Sequence, residues 1–198
     1  MNKTSLERVV SMEMEVAHAF GETCDAANQY YAAVFAAGCA LVAHQAKLRI
    51  LEVSIQQKRH EYKGYCRVEQ LGEPPARLDL LLAGEAAQVA LGLSGFSAIT
   101  IWEGRHQEAA VLIEYWYEYW GEHYPLRRLD DKERYIDQEI VHLIDLTRYQ
   151  LRRRFSHKAE RSALATLALR LRDKGSIAGR EVTALIHDAF RQTREDLS

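Results

Sequence analysis

Three cysteines and eight histidines are the side chains of this 198-residue chain best suited to metal or nucleophilic chemistry, and their spacing decides how far that goes. Cys24, Cys39 and Cys66 lie 15 and 27 residues apart, which matches no common zinc or redox pattern. Cys39 is followed by His44 in an Ala-rich apolar stretch. On a helix turning about 100° per residue, five residues set two side chains about 140° apart. One metal therefore cannot readily take both, and His44 is badly placed to act as a base for Cys39. His18, His106 and His123 show no ligand spacing. An odd, small number of thiols is the pattern of reduced cysteines in a cytosolic protein, so a cytoplasmic location is expected.

Two other clusters suit binding better than reaction. Tyr115, Trp116, Tyr119 and Trp120 occupy adjacent faces of an expected helix. Core packing is the ordinary use of such a group. Tyr and Trp also anchor interfaces, which makes these four the candidate protein-binding residues. Arg148, Arg152, Arg153, Arg154, Lys158 and Arg161 form a basic stretch diluted by Asp145 and Glu160. Without interleaved stacking aromatics or a known reading motif, it reads as a solvated face rather than a nucleic-acid site. The net charge of −2 supplies no overall basic field for nucleic acid or anionic lipid.

The length fits one domain with a smaller helical subdomain, here a core over 1–125 and helices over 126–198 packed on it. A hydrophobic share of 47% is enough for a core. The first ten residues carry Lys3, Glu7 and Arg8 and lack the apolar run of a signal peptide. The longest apolar stretch, over 30–43, is shorter than the roughly 20 residues a bilayer span needs, so no membrane segment is expected. Helices are predicted over 6–20 and, from an Asp25 cap, over 25–47. The β-rich residues 48–55, a polar turn over 56–61 and a partner strand over 62–69 predict a hairpin, with Tyr65 and Val68 pointing inward. Pro75 opens a helix carrying Leu78, Leu81, Leu82 and Ala86 at helical spacing. A Gly/Ser loop over 92–100, a helix over 102–120 and three further helices from 130 onward complete the reading. Lys174-Gly175 marks a stop between the last two. In all, about seven helices and two to three short strands are predicted.

Residues 34–43 read Val-Phe-Ala-Ala-Gly-Cys-Ala-Leu-Val-Ala. This stretch resembles the zinc helix of FtsH-type ATP-dependent metalloproteases, His-Glu-Ala-Gly-His-Ala-hydrophobic-Val-Ala. In that pattern the two His, four apart, hold Zn²⁺ and the Glu activates its bound water. The Ala-Gly-x-Ala-Leu-Val-Ala frame is kept, whereas Phe35 and Cys39 stand at the His positions and Ala36 at the Glu position. The similarity continues through Leu51-Glu-Val-Ser-Ile55, Leu80-Leu-Leu-Ala-Gly-Glu-Ala-Ala87, Tyr119-Trp120-Gly121, Ile136-Asp-Gln-Glu-Ile140 and the stretches 163–171 and 177–186. Arg105, four residues before Ala109, falls at the Asp that supplies the family's third ligand. The family's ATPase module and transmembrane helices have no counterpart in these residues.

The resemblance implies a mainly α fold with a small β-hairpin or sheet and a C-terminal helical subdomain. It implies a soluble pseudoprotease with no zinc or other cofactor, Phe35 and Cys39 filling the vacated space. Because relatives of that fold assemble as rings, it also implies a protein-binding or regulatory module that meets a partner protein or itself. The alternative expectation is a cryptic peptidase or hydrolase using a rearranged metal or thiol site.

Overall fold

Alanine and glycine are concentrated between residues 32 and 43, and the chain uses them to bury one helix on every side. The computed structural model describes residues 25–58, 61–69, 74–93 and 132–196. Helix α1 (Asp25–Gln45) is buried at every position from Ala32 to Ala43 except Phe35, which is half-buried. A helix that is apolar all round belongs in a core or in a bilayer. No helix among the described residues is long and apolar enough to cross a membrane. Here α1 is the central element, enclosed by the sheet, by the helix that follows it and by a later helix.

Strands β1 (Ile50–Lys58) and β2 (Glu61–Val68) form an antiparallel hairpin. The pairs Val53↔Cys66 and Ile55↔Gly64 set one face of it against α1. Side chains alternate along a strand, so Tyr65, between Gly64 and Cys66, points away. It is 40% exposed, and the expectation that it anchors the inner face is corrected. Val68 keeps the inner parity and is half-buried. β1 also continues through Gln56 and Gln57 to Lys58, so the turn is shorter than predicted. Pairing with β2 across Gln56↔Lys63 and Gln57↔Tyr62 holds these polar residues in the strand.

Helix α2 (Pro74–Ala90) buries Leu78, Leu82, Ala83, Ala86 and Ala87, and Gly92 follows with φ 78°. Helices α3 (Lys132–Phe155) and α4 (Lys158–Lys174) come next. α3 covers α2, and α4 packs on α1. Gly175, at φ 75°, caps α4 through its N–H to the Leu171 carbonyl and swings the chain into β3 (Ser176–Ala178). β3 pairs with β1, giving a three-stranded antiparallel sheet in the order β2-β1-β3. Helix α5 (Gly179–Glu195) closes the described structure.

The described residues are thus mainly helical, with five helices and a small three-stranded sheet. One apolar cluster runs from Tyr30 to Ala189. The helices predicted over 6–20 and 102–120, and most of the predicted 92–100 loop, lie outside the described residues.

Candidate functional site

The three motif positions of α1 face two different neighbours. Phe35 and Cys39, one turn apart, share a side of the helix. Phe35 lays its ring on Gly84 of α2, where any added Cβ would overlap it. Cys39 is buried and donates its thiol hydrogen to the Leu80 carbonyl oxygen at 3.5 Å. The side of α1 that carries Phe35 and Cys39 is therefore packed against residues 80–84 of α2. Ala36, fully buried, lies under β2: a Cβ on Gly64 would strike the Ala32 carbonyl oxygen and come within 3.0 Å of the Ala36 Cβ.

The repeated Ala-Gly pattern has a packing explanation in this geometry. A Cβ on Gly38 would come within 2.6 Å of both the Ala83 carbonyl oxygen and the Ala87 Cβ. Gly38 of α1 thus meets Ala83 and Ala87 of α2, and Gly84 of α2 meets Phe35 of α1. Gly38 lets the two backbones approach closely, and Gly84 makes room for the Phe35 ring. The amide of Gln88 ties the same two helices by donating to the Tyr31 carbonyl at 3.0 Å.

A thiol nucleophile finds poor support here. Cys66 is on the inner face of β2, next to Cys39. Burial first, and the neighbouring Cys39 second, push the Cys66 thiol well above the usual cysteine range, away from the reactive thiolate. Native protein should accordingly react slowly with a thiol reagent at Cys39 and Cys66 and rapidly once unfolded. Mass mapping after timed labelling with an excess of iodoacetamide reads this directly, and rapid native labelling of either residue would contradict it.

His44 and His187 meet edge to face, with ring centroids 5.1 Å apart and planes at 88°. Burial, and then His187, hold the His44 pKa below the ordinary histidine value. The folded state therefore binds its proton less readily than the unfolded chain does. The contribution of His44 is complete above the unfolded value of about 6.5 and is lost as the pH falls through the window between that value and the folded one. Thermal melts of the wild type should show a drop as the pH falls below about 6.5, and His44→Asn should show a smaller one. Equal drops in both would contradict the assignment.

The basic stretch of α3 is only partly the solvated face expected of it. Ile144, Thr147, Arg148, Leu151 and Phe155 are buried and form the stripe of α3 that covers α2. Arg148 and Arg152 both reach Glu85 of α2, at 3.1 Å and 3.4 Å, and Arg154 donates to the Gln45 side chain at 3.0 Å. Lys158 pairs with Asp196 at 3.4 Å. Arg153 is exposed. Asp79, half-buried on α2, has its pKa raised by burial while Arg154 opposes the rise. Glu85 was the missed residue. Its signal was a carboxylate flanked by small apolar residues, Ala83 to Ala87, a group that needs a cationic partner when buried.

Among the described residues no group of three or more His, Cys, Asp and Glu side chains is placed to hold a metal ion. Arg105, Tyr115, Trp116, Tyr119 and Trp120, named above from the sequence, lie outside the described residues. A comparison with protein-family models gave no match, and a search of curated proteins gave none.

Proposed function

We propose that the chain is a non-catalytic member of the FtsH peptidase-like fold, a pseudoprotease acting as a protein-binding or regulatory module. The observation that carries the reading is the packing at the motif. Phe35 and Cys39, at the two ligand positions of the resembled zinc helix, abut Gly84 and Leu80 of α2. Ala36, at the general-base position, is buried under β2 and has no proton to exchange. General acid–base catalysis alone contributes roughly 10²–10⁴-fold to rate, and a bound metal contributes several kcal/mol of charge stabilisation besides. A chain that has exchanged both retains a scaffold and a surface, and association is what remains for that surface to do.

Incubation of the purified chain with casein, with and without added Zn²⁺, tests the reading. No cleavage above a boiled control is expected. Cleavage by a homogeneous preparation that a chelator or a thiol blocker abolishes would overturn it, and the choice of inhibitor would identify the alternative chemistry.

A further inference from the structure

The outer face of α3 has a charge pattern of its own. It carries Asp145, Leu146, Tyr149 and Arg153, all exposed, with Tyr149 at 63% and Leu146 at 40% among the large apolar side chains left in solvent. Asp145, Tyr149 and Arg153 are spaced four apart, so they form one line along the helix. The line is antisymmetric about its centre: a carboxylate one turn before Tyr149 and a guanidinium one turn after. Asp145 also lies 3.7 Å from Arg148, but Arg148 is committed to Glu85 at 3.1 Å. Arg148, Arg152 and Arg154 are engaged with α1 and α2, whereas Arg153 points to solvent.

We propose that this face of α3 is a self-association surface whose occupant is a second copy of the same chain. The proposal rests on reading the chain as an association module. A two-fold axis through Tyr149 lays two α3 helices antiparallel. Asp145 of each copy then faces Arg153 of the other, forming two ion pairs around stacked Tyr149 rings, with Leu146 alongside. A parallel arrangement in register would set Asp145 on Asp145 and Arg153 on Arg153, so the charge order selects the antiparallel one. One helix face buries less than about 1,200 Å² in total, which makes the dimer a weak, concentration-dependent one.

Sedimentation of the full chain from about ten to several hundred micromolar tests this, with Asp145→Arg, Arg153→Asp and the double exchange. Both positions are exposed, although Asp145→Arg also removes the 3.7 Å contact to Arg148, so thermal melts check that each variant folds. Each single change sets like charges opposite each other and should weaken the dimer at least about tenfold. The double exchange restores both pairs with the signs swapped and should recover dimerisation to near the wild-type level. Three results overturn the proposal: a monomer at every concentration, a dimer indifferent to the single changes, or a double exchange no better than either single one. An indifferent dimer would leave the association reading standing on another face, while chelator-sensitive or thiol-dependent casein cleavage would remove that reading without bearing on the dimer.

Discussion

Replacing Glu85 with alanine should destabilise the fold by roughly 3–5 kcal/mol, the cost of breaking a buried ion pair by removing one member. Glu85 is 14% exposed and Arg148 is 6% exposed, so water screens their 3.1 Å contact little. The same carboxylate also receives Arg152 at 3.4 Å. Its loss would remove the carboxylate shared by buried Arg148 and by Arg152, whose side chain is 43% exposed, while Asp145, 3.7 Å from Arg148, is largely exposed. The loss should come from the missing charge rather than the missing volume. Glu85→Gln, which keeps the shape, should therefore remain strongly destabilised, and Glu85→Gln combined with Arg148→Met should lose less than the sum of the two single changes. Urea denaturation of the four proteins measures the coupling. Strict additivity would show that the pair contributes nothing as a pair.

Phe35→Ala carries the second large effect, about 3 kcal/mol, at the lower end of the range for truncating a core aromatic because the ring is only half-buried. The ring rests on Gly84, which has no side chain to move into the space left behind. Phe35→Leu should recover part of the loss. Gly84→Ala should be destabilising even though alanine favours a helix by about 1 kcal/mol over glycine, because its methyl group would occupy the space of the ring. A neutral Phe35→Ala would remove the argument that this motif position is used for packing.

Much of this architecture was legible in local chemistry. The Ala-rich run over 30–43 is too short for a bilayer and too apolar for a surface, which leaves the centre of a core, where α1 lies. The spacing of Leu78, Leu81, Leu82 and Ala86 placed the buried stripe of α2, with Leu81 only half-buried, and Lys174-Gly175 placed the end of α4. The misses are non-local. Tyr65 has the composition of an inward anchor, yet the register fixed by Gly64 and Cys66 against α1 turns it outward. β3 is three residues long and exists because Gly175 returns the chain to β1, a pairing no local pattern encodes. Arg148 looked like one of a solvated run, and its burial follows from where α3 crosses Glu85. Along α1, the residue types at Phe35, Ala36 and Cys39 were plain in the sequence. That Leu80 and Gly84 close the same side of the helix depended on the packing angle of α2, which sequence spacing does not give.

The central claim is that the Phe35–Cys39 side of α1 serves packing and holds no metal. Metal analysis of the purified chain, equilibrated with a slight excess of Zn²⁺ and then desalted, tests it most directly, with thermal melts alongside. A ligand that binds only the folded state must raise the melting temperature, and a structural zinc contributes strongly to folding. The account predicts well under one zinc per chain and the same melting temperature with zinc, with chelator or with neither. One tightly held zinc per chain, removed by chelator with a fall in melting temperature, would contradict it.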